Sequence, residues 1–398
     1  MATPADTTQS SPAPENSRKR KTWLLAVLLL LILGGAAAWA WYSLVGRWHE
    51  STDDAYVNGN VVEITPLVTG TVTSIGADDG DLVQAGQVLL RFDPADSEVA
   101  LQSSEAKLAR TVRQVRGLYS NVDSLKAQMQ SRAAELKKAR DNYNRRKVLA
   151  DSGAISREEI SHAQDDLSSA QSALDSAQQQ LNTSTALVDD TLLASHPEVM
   201  AAAADVRQAY LDNARTTLVA PVTGYVAKRT VQLGQRLQPG TATMAVIPLD
   251  EVWIDANFKE TQLRHMRIGQ PVDITSDLYG DEVKYSGTID SLGAGTGSAF
   301  ALLPAQNATG NWIKIVQRVP VRVHINPQQL SEHPLRIGLS TVVDVDLHDQ
   351  SGPVLAQQPP QQASFTTNVY DKQLGEADAM IAQLIHDNSA ASGTTATR

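Results

Sequence analysis

The chain is 398 residues long, 42% hydrophobic and only 5% aromatic, with a formal net charge of -10. That length holds two or three domains and the apolar content suffices for packed cores, while the scarcity of aromatics places part of that content outside globular cores. The acidic balance argues against nucleic-acid binding through phosphate neutralisation, and the lack of cysteine excludes disulfides, thiol nucleophiles and thiolate-bound zinc.

Residues 1–22 read as a polar tail ending in Arg18-Lys19-Arg20-Lys21. Residues 23–45, WLLAVLLLLILGGAAAWAWYSLV, carry no charge, and at about 1.5 Å per residue they are long enough to cross a hydrocarbon layer about 30 Å thick. The basic cluster before this segment and Trp23, Trp39 and Trp41 at its ends place 1–22 in the cytoplasm and all after His49 outside. A cleaved signal peptide is the rival reading, disfavoured because apolar sequence runs on past the small residues GGAAA. Residues 46–60 are expected to be a linker and a first barrel-side strand.

Residues 61–93 contain short alternating strands punctuated by Gly70, Gly80 and Gly86, spaced ten and six apart. The same spacing returns at Gly224, Gly234 and Gly240, within 218–249, and Val-Thr precedes the first glycine of each set. Two matched half-motifs read as an internal duplication whose halves close together into one small β-sandwich. This sandwich resembles the biotinyl/lipoyl carrier fold. A carrier presents a modifiable lysine where its halves join, and here Asp93-Pro94-Ala95-Asp96 stands there instead. Lys228, inside the second half, reads as an exposed strand residue.

The insert between the halves, residues 94–217, carries apolar residues seven apart at Leu101, Leu108, Val115, Val122, Met129, Leu136, Tyr143 and Ala150. The return run has Ile160, Leu167, Leu174, Leu181 and Val188, interleaved with Ala163, Ala170 and Ala177. Such a repeat predicts an antiparallel coiled-coil hairpin, its outgoing arm reaching roughly 80 Å, with the turn near 151–156. Gly153 suits a left-handed C-cap, Ser156 and Glu159 form a capping box, and Ile155 and Ile160 stand at staple positions. Ser195-His196-Pro197-Glu198 reads as a second capping box, so the return helix is expected to break and restart there. Counting from the turn sets Gly117 opposite Asp189, which predicts a bend at that level with Arg113 or Arg116 near Asp189 and Asp190.

Alternating strands within 250–350, including 287–292, 318–325 and 341–347, predict a small β-barrel, with a long Gly-rich connection over 293–312. In the tail, 351–398, Leu374, Ile381, Leu384 and Ile385 mark a weak helix over 371–387. The ends, 1–17 and 388–398, read as disordered. The fold class is therefore mixed α and β and elongated: one transmembrane helix, a split lipoyl-like sandwich interrupted by a coiled-coil hairpin, and a barrel.

This order of parts, together with DDAYVNGNVVEITPLVTGTV, LVAPVTGYV and VWIDANFKETQLRHMRIGQPV, resembles the HlyD family of periplasmic membrane fusion proteins. The resemblance runs over about 18–350 and is closest to that family's multidrug-efflux adaptors. It implies a non-enzymatic adaptor joining an inner-membrane major-facilitator drug/proton antiporter to a TolC-like outer-membrane channel, with self-association into a ring or sleeve. It also implies channel contact at the hairpin tip through an Arg-x3-Leu-x6-Ser pattern, which Arg145, Leu149 and Ser156 match. The bland alternatives are a solvated charge for Arg145, tip packing for Leu149 and a plain N-cap for Ser156.

No catalytic constellation, cofactor motif or metal motif stands in the sequence. The glycines at 293, 295 and 297 lack the third glycine of a dinucleotide loop and no helix signal follows. His49, Glu50, Asp53 and Asp54 are the nearest approach to a metal set, and read better as a solvated juxtamembrane stretch. Two other functions remain: a type I secretion adaptor paired with an ABC transporter, and a biotin or lipoate carrier subunit, which the missing lysine disfavours.

Overall fold

The structure, a computed structural model, describes residues 17–44, 46–188, 192–300 and 316–389. In chain order, helix α1 (Ser17–Leu44) is followed by β1 (His49–Asn58) and by the first sandwich strands, β2 (Val62–Ile64), β3 (Gly70–Ile75), β4 (Leu82–Val83) and β5 (Val88–Phe92). The hairpin comprises α2 (Ala95–Asp151), α3 (Arg157–Val188) and α4 (Pro197–Ala214). The second sandwich strands are β6 (Thr217–Val219), β7 (Gly224–Ala227), β8 (Arg236–Leu237) and β9 (Met244–Ile247). Then come β10 (Trp253–Lys259), β11 (Pro271–Ser276), β12 (Gly280–Leu292), β13 (Arg318–Ile325), α5 (Pro327–Glu332), β14 (Ser340–Asp346) and α6 (Asp371–Ser389). They fall into two compact units, one of residues 1–61 and 247–364, the other of 62–246 and 365–398.

In the first unit, β1-β10-β13-β12-β11-β14 close an antiparallel barrel. Alternation sends Ile254, Ala256 and Phe258 of β10 and Thr341, Val343 and Val345 of β14 inward, the period-two pattern of a sheet with one buried face. A bulge between Thr52 and Ala55 shifts the register of β1 against β14, and there the buried Thr52 hydroxyl donates to the Asn257 carbonyl at 3.0 Å.

The second unit contains the sandwich, and each of its sheets mixes the two halves of the chain: β2-β9-β7-β4 and β6-β5-β3-β8. The halves exchange equivalent bonds. Gly80 N–H donates to Val226 O at 2.9 Å and Gly234 N–H to Val72 O at 2.9 Å; Gly86 N–H donates to Ala220 O and Gly240 N–H to Pro66 O. These four glycines have φ between +77° and +91°, a backbone that other residues adopt only under strain, and this explains their repeated spacing. Neither half holds a complete sheet, so neither buries its apolar face alone. Lys228 is not a strand residue: it follows β7 at φ +53°, in the left-handed turn that brings Arg229 onto Asp78 at 2.6 Å.

In the same unit α2 runs 57 residues without interruption, about 85 Å at 1.5 Å per residue. The residues spaced seven apart on both arms are buried or half-buried, as the heptad pattern requires. The return arm does break: α3 ends at Val188 and α4 begins at Pro197. The second cap is His196 rather than Ser195, because the His196 ring accepts from Glu198 N–H while the Ser195 hydroxyl turns back to Leu192 O. The outgoing helix passes Gly117 unbroken. Asp189 and Asp190 lie outside the described residues, and Arg113 donates instead to the Asn388 side chain at 2.6 Å.

That asparagine belongs to α6, which runs two residues past the expected end and packs as a third helix on α2 and α4. Ile381 is buried among Leu108, Val112, Val115, Val199 and Val206, and Ala377 of the same helix is also buried. Arg207 with Asp378 and Tyr210 with Glu376 border the contact.

Candidate partner-binding tip and membrane anchor

The hairpin turn is assembled by backbone requirements. Gly153 takes φ +77° and its N–H donates to Ala150 O, while Ala154 N–H donates to Leu149 O, so the last carbonyls of α2 are satisfied. The Ser156 hydroxyl accepts from Glu159 N–H at 3.2 Å and the Glu159 carboxylate accepts from Ser156 N–H at 3.0 Å, a reciprocal box that starts α3. Ile155 and Ile160 are the half-buried residues on either side of it.

Three side chains near this turn were singled out from the sequence. Arg145 and Leu149 stand four apart on one face of α2, and both are exposed. The neighbouring Arg146 faces the return arm and donates to Glu159 O at 3.3 Å, whereas Arg145 has no ion-pair partner among the described residues. Ser156 is exposed but its hydroxyl is engaged in the cap, so its local role is structural. Sequence reasoning missed Val148, 69% exposed beside Leu149 at 46%. Its signal was an apolar residue off the heptad seam, where solvent-facing helix positions are ordinarily polar. The tip thus presents a small apolar surface edged by a cation.

At the sandwich, α2 begins at Ala95, directly where a carrier lysine would be displayed. At the other end of the chain, the segment Thr22–Trp48 contains an 18-residue window with a mean hydropathy of 2.3, none of it buried. Its leucines and Trp23, Trp39 and Trp41 are exposed, as a helix surrounded by lipid requires. His49, Glu50 and Asp54 are not a free juxtamembrane stretch but part of β1: His49 pairs with Asp344 at 2.7 Å, Glu50 accepts from Gln262, and Asp54 pairs with Arg318 at 3.1 Å.

Residues 95–216 match the EMRA alpha-helical hairpin domain family and residues 251–346 the AAEA-like beta-barrel domain family. The multidrug export protein EmrA of Escherichia coli is 44% identical over 98% of this chain and 100% of its own length. The chain belongs to the EmrA family. Its EmrA relative in Haemophilus influenzae is 40% identical over 96% of this chain and 97% of that one. The fatty acid resistance protein FarA of Neisseria gonorrhoeae is 47% identical over 84% of this chain and 86% of its own. A solved structure of the periplasmic adaptor protein EmrA is similar over 75% of this chain and 99% of that one, at 18% identity and a TM-score of 0.38.

Proposed function

We propose that this protein is the membrane fusion adaptor of a tripartite multidrug efflux pump. It is anchored by α1 in a bacterial inner membrane, with residues 1–22 cytoplasmic and the remainder periplasmic. It joins a major-facilitator drug/proton antiporter to a TolC-like outer-membrane channel, and copies associate side by side into a sleeve that carries cargo past the periplasm. The supporting observation is near full-length kinship with a multidrug export protein in a chain whose hairpin leaves the sandwich at the carrier position. The adaptor does no chemistry in this reading; it holds two partners at a fixed separation.

A helix pair about 85 Å long is far more than the small sandwich needs for stability, and reach accounts for the excess. At its tip, Leu149 and Val148 offer apolar contact and Arg145 a charge that suits carbonyls or carboxylates on the channel. Relatives named for multidrug export and for fatty acid resistance support a reading in which the cargo is apolar or amphiphilic small molecules.

The test is drug susceptibility of cells that depend on this adaptor, comparing wild type with Arg145→Glu. The variant is expected to lose at least about tenfold of the resistance, at unchanged expression and membrane insertion. Charge reversal places a repelling group at the contact, worth about 1.4 kcal/mol per tenfold change. Full resistance in Arg145→Glu removes Arg145 from the interface.

A further inference from the structure

Two histidines far apart in sequence meet at one end of the barrel. His49 opens β1, and His348 lies two residues beyond the end of β14. Their ring centroids are 6.3 Å apart with the planes at 79°. Each ring is oriented by a carboxylate through the same atom: His49 Nδ1 meets Asp344 Oδ1 at 2.7 Å, and His348 Nδ1 meets Asp346 Oδ1. An ionised carboxylate only accepts, so in the neutral imidazoles Nδ1 carries the proton and donates it, which leaves the Nε2 lone pair of both rings free. A carboxylate holding Nδ1–H while Nε2 stays open is the outer-shell arrangement found behind metal-bound histidines. His348 is further held by stacking on Trp48 at 5.1 Å.

The surroundings favour a cation. Asp344, Asp346 and Asp273 all bear on His49, and the Arg47 guanidinium lies over the Trp48 ring. Among the described residues no three metal-binding side chains converge, so two imidazoles are the protein's share. Zinc–nitrogen bonds of about 2.0–2.1 Å in a tetrahedral arrangement set two ring centres roughly 5 Å apart. Rings at 6.3 Å on half-exposed side chains need about 1 Å of approach to reach that spacing.

We propose that His49 and His348 bind one divalent transition metal of the zinc type through Nε2, with water completing the shell. Nitrogen ligands select zinc, copper or nickel over magnesium and calcium, which require oxygen. The bound ion ties the first residue of the first barrel strand, five residues past the end of α1, to the segment leaving the last strand. The inference stands independently of the adaptor reading.

The probe is zinc chloride titrated calorimetrically into the full chain in detergent at pH 7.5, after chelator treatment. One zinc per chain is expected. His49→Ala and His348→Ala should each weaken binding at least tenfold, Asp344→Asn by about tenfold, and excess magnesium should not compete. His324→Ala, elsewhere on the barrel, should bind as wild type. X-ray absorption of the zinc-loaded chain should show two imidazole nitrogens and light oxygen ligands. The proposal is overturned if the wild type takes up no zinc, if both histidine variants retain wild-type affinity, or if magnesium competes equally.

Discussion

At the barrel mouth His49 donates to Asp344 and feels Asp346 and Asp273, and the hydrogen bond and the carboxylate charges together raise its pKa above the ordinary 6.5 despite the opposing effect of burial. Because the folded value is the higher one, the pairing contributes stability that is fully present below about 6.5 and fades as pH rises through the folded value. Asp346 works in the other direction. The His348 backbone N–H and ring hold its carboxyl below the usual 3.8, a contribution present above that value and lost as acid reaches the folded pKa. In chelator, the midpoint of thermal unfolding should fall between pH 6 and pH 8 in the wild type and change less in His49→Asn; identical pH profiles would remove His49 from the balance. None of this was legible locally. His49 sits among Glu50, Asp53 and Asp54 in sequence, yet its partner is 295 residues away, and only closure of the barrel unites them. The same distance hid the role of Lys228, whose left-handed turn exists so that Arg229 reaches the opposite half. Ser195 has the residue type better suited to an N-cap, yet His196 holds that position, one ring nitrogen on Glu198 N–H and the other on Leu187 O, and so joins the end of α3 to the start of α4.

Among the elements, the hairpin was the most readable, since a seven-residue apolar repeat allows one packing partner and the caps at its turn are local. Helix α6 was the least readable. Leu374, Ile381, Leu384 and Ile385 gave an amphipathic stripe without an address, and of these Leu374 faces solvent while Ala377 and Met380, which carried no signal, pack inward. The address is written on α2, where Val112 is fully buried off the heptad seam and the half-buried Ala109 shares its side. A second apolar row on one helix calls for a second neighbour. Replacing the buried Ile381 with Asp puts an unpaired charge into that contact, a change that costs several kcal/mol in protein interiors. Hydrogen exchange should then become fast over 371–389 and faster at the base of α2, while the tip around 145–160 keeps its wild-type rates. Unchanged protection of α6 would mean that its apolar face does not hold it.

At the scale of the whole molecule, the proposed membrane orientation rests on the basic cluster in the first turns of α1, and a chain without cysteine makes it directly measurable. A single cysteine at Ser168, on the exposed side of α3, should react with a membrane-impermeant maleimide once the outer membrane is opened. One at Ser10 should react only after the inner membrane is lysed. The reverse pattern would invert the topology. The sequence made the split sandwich legible because glycine is the one residue that accepts those turns, so duplication left a countable trace. It was silent on the bulge in β1 and on the tail's return, which arise from packing between distant segments. The reciprocal bonds of the sandwich also impose an order of events on a newly made chain. Strands that must pair lie about 140 residues apart, as β4 and β7 do through Leu82 and Tyr225, so the first half waits unfinished until the second has emerged. Bringing such distant ends together is slow for a random coil. The intervening helices pair with each other across their own turn, and by zipping down from it they deliver the two glycine-rich stubs side by side, so that the rod acts first as the jig on which its own foundation is assembled.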